Sequence, residues 1–392
     1  MKSREVNLSD RVWKLASVIF VFSIAVAMTQ TIWAVHLEKL LGSASKVGFV
    51  NAFLMFVAFL SYFAMIPIIE RNDKAKLFSL SVFILASCYF LFYFAKNIYL
   101  FILIAIILTI SGSLRITSFG ILVRDNSPIK RVSRSEGLIY SFMNSAWIIG
   151  PLIASFILIK FSENTVFLIS SFVAILTVLL FISFRFKDKD GKKRTDNDIR
   201  KNFLGFFKDK DRIISYCLGV GVTTWWTLIY LYIPLFIIKS GLPQQWVGYF
   251  LFATAIPLVL LEYHFSKLAG KKGFRKMFNI GYFFVAIISL ICFFIPNIYI
   301  ILSLLVIASF GMAIVEPNTE AYFFDILKGK EEYRYYGPYN TTVHIGLIIG
   351  SALGAIILLF LPFKFLFILY SALMFIFFTL SFKTKRIIEE NR

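Results

Sequence analysis

The chain has 392 residues, of which 59% are hydrophobic, 18% aromatic and only 16% charged, with a formal net charge of +19. A soluble domain carries about 25% charged residues, so the polar surface here is too small for a chain dissolved in water, and lipid is the implied solvent. The excess of positive charge is placed in a way that fits a membrane surface better than nucleic acid.

Crossing ~30 Å of hydrocarbon takes about 20 apolar residues. Twelve such stretches follow one another: Val12–His36, Val47–Ile69, Leu77–Ala95, Ile98–Val123, Gly137–Ile159, Val166–Phe184, Ile213–Ile238, Trp246–Leu268, Phe278–Ile295, Tyr299–Ile326, Gly337–Leu361 and Phe365–Phe382. The first follows the basic residues Lys2, Arg4, Arg11 and Lys14. It is too long for a signal peptide and lacks a small-residue cleavage pattern, so it reads as a retained helix. With the N-terminus in the cytoplasm, 34 Lys and Arg fall in the termini and even-numbered connections and 6 in the odd-numbered ones. That asymmetry is the positive-inside rule and puts both termini in the cytoplasm. The basic loops meet anionic headgroups at about 1 kcal/mol per residue, which makes membrane lipids partners and nucleic acid not. Cys88, Cys217 and Cys292 lie inside spans, at no metal-ligand spacing, and read as small hydrophobes.

Between Arg185 and Arg212, eleven Lys or Arg crowd a linker of 28 residues. Ile199, Phe203 and Leu204 within it suit either a short amphipathic helix on the membrane or a plain solvated linker. On either side the sequence repeats at an offset of 200. Lys46-Val47-Gly48-Phe49 matches Trp246-Val247-Gly248-Tyr249, Asp125 matches Asp325, Gly137 matches Gly337, and Ile148-Ile149-Gly150 matches Ile348-Ile349-Gly350. Duplication of a six-span unit is the reading. Because six is even, both copies run in the same sense, as parallel repeats. The expected organisation is an all-α membrane protein with a six-helix bundle over residues 1–184, the basic linker 185–212, a second bundle over 213–382 and a tail over 383–392.

The loop after the second span reads Ile66-Pro67-Ile68-Ile69-Glu70-Arg71-Asn72-Asp73-Lys74-Ala75-Lys76. Its counterpart is Ser266-Lys267-Leu268-Ala269-Gly270-Lys271-Lys272-Gly273-Phe274-Arg275-Lys276. Together they resemble the G-x-L-A-D-R-x-G-R-[RK] loop of the major facilitator superfamily. The first copy keeps the acid–Arg pair and loses both glycines; the second keeps the turn glycine and loses the acid. The resemblance implies a twelve-span fold of two bundles and a gating role for Glu70, Arg71, Lys74, Gly273 and Arg275. Positive-inside anchoring accounts for the lysines equally well. In the fifth span, Gly150-Pro151 flanked by Ala146 and Ala154 resembles the family's antiporter motif, which is linked to export. Gly346, Gly350 and Gly354 share one face of the eleventh span, where small residues let helix backbones approach closely.

Charges inside spans cost at least ~2.5–3.5 kcal/mol each and are functional candidates by default. In the family, the first, fourth, seventh and tenth helices line the central cavity. Arg115 is the cation of the fourth span. The family's usual arginine there precedes a glycine by four residues; Leu108 holds that place, and Arg115 sits about two turns further on. Its role therefore does not carry over. Glu316 and Glu320 are i, i+4 neighbours in the tenth span, with Asn318 between them and Pro317 freeing a backbone carbonyl. Paired carboxylates in a low dielectric suit proton coupling, and a pairing of Arg115 with Glu316 would stabilise a closed state. Gln30, Trp33 and His36 in the first span are candidates for the outer part of the cavity, and Thr224, Trp225, Trp226 and Tyr230 in the seventh set aromatic faces beside hydroxyls, which suit an amphipathic or cationic ligand. Asn144 and Trp147 in the fifth span and Asn340 and His344 in the eleventh are supporting candidates. Glu262 and His264 near the end of the eighth span form a gate or simply reach the interface.

No phosphate-binding loop, H-E-x-x-H, C-x-x-C or G-x-S-x-G is present. The expectation is accordingly a monomeric, cofactor-free and metal-free secondary transporter of the cell membrane, not an enzyme. It would move a small organic solute by alternating access, coupled to protons and directed outward. Import of an anionic metabolite anchored at Arg115 is the second reading, and a non-cycling sensor with the same fold is the third.

Overall fold

The computed structural model describes residues 10–127, 132–186, 199–327, 331–385 and 387, with the side chains of residues 70, 132–134, 136, 199, 200, 332 and 333 outside the description. The helices are α1 (Asp10–Leu41), α2 (Ala44–Ala64), α3 (Ile66–Arg71), α4 (Lys74–Phe94), α5 (Ile98–Asn126), α6 (Val132–Lys160), α7 (Glu163–Ser183) and α8 (Ile199–Phe206). They continue as α9 (Lys210–Thr227), a π-helical turn (Leu228–Tyr232), α10 (Ile233–Lys239), α11 (Gln245–Lys272), α12 (Phe274–Phe294) and α13 (Ile298–Ile326). The last three are α14 (Glu331–Asn340), α15 (Thr342–Phe360) and α16 (Phe365–Ser381). Among the described residues, eleven helical stretches are long and apolar enough to cross a membrane, and α16 is a shorter apolar helix. Large apolar side chains such as Phe156, Phe172, Leu260 and Phe294 point outward from them. Water would reject so much exposed hydrocarbon, whereas lipid tails accept it.

Local chemistry fixes the helix ends. Asn97 and Asn297 cap α5 and α13, each accepting from the N–H of the second residue on, at 2.8 and 2.9 Å. Asp73 accepts from Lys76 N–H at 2.9 Å to start α4. Each such cap contributes about 0.5–2 kcal/mol. Gly273 ends α11 and opens α12 in one residue, with φ at 86°. Only glycine adopts that backbone without strain.

Three spans depart from uninterrupted helices. The second breaks at Met65 instead of running to Ile69, because Pro67 offers no N–H to the preceding turn. The seventh passes through the π turn before Pro234. The eleventh starts earlier than Gly337, as α14, and turns at Thr341, whose hydroxyl donates to the Pro338 carbonyl at 2.7 Å.

The chain divides into two compact units, Met1–Ile32 with Leu60–Arg194 and Trp33–Phe59 with Thr195–Arg392. In the first, α4 packs on α5 and α7 through Phe92 against Phe101 at 4.3 Å and Phe78 against Phe181 at 4.7 Å. Ser171 donates to the Ala86 carbonyl at 2.8 Å. In the second, Ser371 donates to the Ala286 carbonyl, also at 2.8 Å. This buried bond recurs at the same offset of 200 as the sequence repeat, as do the bounds of α4 and α12 and of α5 and α13.

Part of the basic linker is seen as α8. Phe206 at its end is fully buried against Tyr216, Phe323 and Tyr335, while Leu204 is exposed. Residues 187–198 of the linker, and most of the tail beyond Lys385, lie outside the described residues.

Candidate functional site

In the second unit, α9, the π turn, α11, α13 and α14 bring their polar residues together. The indole N–H of Trp226 donates to Oε2 of Glu316 at 3.0 Å. Trp226 also packs against Tyr230, with ring centroids 5.5 Å apart. One turn along α13, the Tyr336 hydroxyl donates to Oε1 of Glu320 at 2.8 Å. Glu262 of α11 lies close enough for its charge to act on Glu316. Three carboxylates, two aromatic donors and a tyrosine ring are thus gathered in one half-buried region, within a medium where each charge is costly. Thr319 donates back to the Glu316 carbonyl at 2.8 Å, so the helix between the two acids is held by its own side chains.

Other predicted residues have structural work. Asn318 is fully buried and donates to the Ile314 carbonyl at 2.6 Å; its Oδ1 has no donor. Trp225 is fully buried, with Nε1 lacking an acceptor, and Thr224 donates to the Gly346 carbonyl at 3.3 Å. The eleventh-span glycines seat α15 on the seventh span. A Cβ on Gly350 would lie 2.6 Å from Thr227 Oγ1, and one on Gly354 would lie 2.6 Å from Cζ of Tyr232. Asn340 and His344 are half-buried on the same span.

The second unit also contains the segment from Trp33 to Phe59, where Trp33 and His36 are buried. Ser45 donates to the Ala355 carbonyl and Asn51 to the Ser351 hydroxyl, both at 2.8 Å. Tyr232 donates to the Ser351 carbonyl at 2.5 Å, and Lys239 pairs with Glu38 at 3.3 Å. Gly48 lies against Tyr232, Ala355 and Ser351 with no room for a side chain. Hydrogen bonds therefore clamp α2 to α15 and α15 to the seventh span, while the Lys239–Glu38 pair joins the end of that span to α1.

In the first unit, Arg115 lies a little past the middle of α5, with its guanidinium over the Phe22 ring at 4.6 Å. Tyr89, hydrogen-bonded with Thr29, is within electrostatic reach of it. Gly150 packs on α1, where an added Cβ would meet that of Ala27 at 2.5 Å, and Pro151 is buried beside it. Gln30, Asn144 and Trp147 are half-buried. Arg115 and Glu316 belong to different units, so their pairing stays an expectation.

Among the loop residues, Arg71 is exposed and Lys74 half-buried, and the Glu70 side chain lies outside the described residues. Arg275 donates to the carbonyl of Thr384, just beyond the end of α16, a local role the loop motif did not announce. Tyr336, Tyr89 and Phe22 were not singled out as site residues, and Glu262 was read only as a gate or an interface residue. Glu262 was visible as an intramembrane acid; the other three look like ordinary aromatic residues until neighbouring helices are in place. Among the described residues no group of three metal-binding side chains occurs.

The model of the Major Facilitator Superfamily matches residues 15–272 and 247–390. An uncharacterized MFS-type transporter of Methanocaldococcus jannaschii is 23% identical over 229 residues, 57% of this chain and 59% of that protein. The match thus spans less than two thirds of that relative. The crystal structure of the nucleoside transporter NupG superposes with a TM-score of 0.77 at 12% identity, covering 96% of this chain and 100% of that one. A POT family transporter in complex with a thioalcohol-conjugated peptide gives a TM-score of 0.79 at 11% identity, covering 95% of each chain. At such identities the likeness shows the fold. The family match extends over nearly the whole chain, and the chain belongs to the major facilitator superfamily, as a multi-pass secondary transporter of the cell membrane and not an enzyme.

Proposed function

We propose that this transporter couples the movement of a small organic solute to protons, with Glu316 as the proton carrier. The observation that carries the reading is the Trp226–Glu316 hydrogen bond beside Glu262 and Glu320. A carboxylate inside a span, held by one indole donor and sensing another carboxylate's charge, is built to change its proton occupancy. Trp226 and Tyr230 give the same region flat faces for an organic ring or cation.

The solute class is supported by the company the fold keeps: one similar structure is a nucleoside transporter and another was solved with a peptide conjugate. In this reading two six-span halves, residues 1–184 and 213–382, alternate access by rocking, with both termini in the cytoplasm. Gly150 and Pro151 in the fifth span favour export. The chain works as a monomer.

The test is proton movement by purified protein in liposomes as cations, sugars, peptides and organic anions are added in turn. A solute that drives protons across the membrane supports the reading. Solutes that cross at equal rates with and without a pH gradient make the protein a uniporter and remove the coupling role.

A further inference from the structure

We infer that Arg115 forms a subsite for the anionic group of the transported solute, a carboxylate or a phosphate presenting two oxygens to the guanidinium. This deepens the transporter reading and rests on it only for the statement that the bound anion is the cargo. A guanidinium in a span is too costly to keep without a compensating partner. In most proteins that partner is a carboxylate of the same fold. Here, among the described residues, no carboxylate lies within ion-pair distance of Arg115. Nη1 is closed off from solvent with no hydrogen-bond acceptor at all.

What surrounds the group orients it without neutralising it. The Phe22 ring lies under the guanidinium at 4.6 Å, which fixes its plane. A Cβ on Gly112, one turn earlier, would lie 3.7 Å from Nη2, so the glycine leaves the nitrogen room. Tyr89 brings a phenol within reach, itself tied to Thr29, which is anchored on the Ala25 carbonyl at 2.9 Å. Arg115 as a whole residue is half-buried. A planar fork, pre-set on an aromatic face and with Nη1 unspent, is the geometry that recognises two-oxygen anions bidentately. A point cation or a neutral solute gains nothing from it.

The probes are matched pairs: benzoate against benzamide, and phenyl phosphate against phenol. Binding to the purified full-length protein in detergent is measured by calorimetry and by the shift in melting temperature. The inference expects benzoate and phenyl phosphate to bind and their neutral counterparts not to bind. Arg115→Gln is expected to weaken anion binding about 10- to 100-fold, and Arg115→Lys less, since it keeps the charge and loses the fork. Equal binding of benzoate and benzamide overturns it, and so does full affinity in Arg115→Gln. If that variant does not fold, the pair comparison on the unaltered protein decides alone. Glu316→Gln separates the two proposals. Anion binding retained there without any solute-driven proton flux in the unaltered protein leaves the subsite standing and the coupling wrong. Proton flux driven only by neutral or cationic solutes, with no anion binding, does the reverse.

Discussion

Trp226 and Glu316 are joined across two spans by a single 3.0 Å hydrogen bond from the indole N–H to Oε2. The residue before it in sequence, Trp225, is fully buried, with its own N–H lacking an acceptor. Adjacent tryptophans on one helix therefore have opposite fates: one packs, the other serves a carboxylate. Trp226→Phe keeps the ring and removes the donor. A buried acceptor left unsatisfied costs about 1–3 kcal/mol, so this variant is expected to melt at a lower temperature and to transport more slowly. Trp225→Phe should leave transport rates within about two-fold, since no hydrogen bond is lost there. Melting curves and initial rates for the two variants check the contrast.

Glu320 depends on Tyr336 in the same way, through a 2.8 Å bond. Tyr336 lies on α14, so removing its hydroxyl loosens the tie between α13 and that helix. Tyr336→Phe is expected to cost about 1–3 kcal/mol, with Tyr335→Phe as a control that touches no carboxylate. Chemical denaturation in detergent reads the difference.

The clamp that holds α2 on α15 makes Gly48 intolerant of any side chain. Its added Cβ would lie 2.8 Å from Ala355 Cβ and 3.0 Å from the Ser351 carbonyl, both on a helix already bound by Tyr232. Gly48→Ala is expected to destabilise by about 1–3 kcal/mol through overpacking. Ala52→Gly, on the same helix, removes one methyl and should cost less, about 1 kcal/mol. Thermal melts rank the pair.

Gly273 tests the turn chemistry separately. Its φ of 86° and ψ of 140° are open to glycine alone, and alanine there should cost about 1–3 kcal/mol. Gly137 has no atom within 4 Å of an added Cβ and sits in a helix. Gly137→Ala should therefore be neutral or stabilising by about 0.5–1 kcal/mol. Opposite signs in one melting assay check both.

The spans were legible in the sequence because the length of an apolar run is set by the bilayer, and the repeat was legible because loop charges and glycines keep their offset. The breaks were less so. Pro67 was in plain view, but a proline does not say whether the chain stops or, as here, breaks at Met65 and continues as α3. The π turn at Leu228–Tyr232 has no sequence signature, since an extra residue in a helix is accommodated by tertiary contacts rather than announced by composition. Glu316 and Glu320 stood out because charge in lipid is rare. Trp226 and Glu262 were visible as candidates, but their proximity to Glu316, and that of Tyr336 to Glu320, arises only when α9, α11 and α14 are set against α13. Arg115 was equally conspicuous, yet the ring beneath it, Phe22, lies 93 positions earlier and is one of 46 phenylalanines. The glycines of the eleventh span announced close packing, and Thr227 and Tyr232 supply the surface they pack on.

The most direct test of the account is solute-driven proton flux in proteoliposomes, comparing the unaltered protein with Glu316→Gln. The amide keeps the shape of the side chain and can still accept from Trp226, but it cannot carry a proton. The account predicts flux in the unaltered protein and its loss in the variant, with solute binding and the melting temperature retained. Undiminished proton flux in Glu316→Gln would contradict it and move the coupling site elsewhere in the fold.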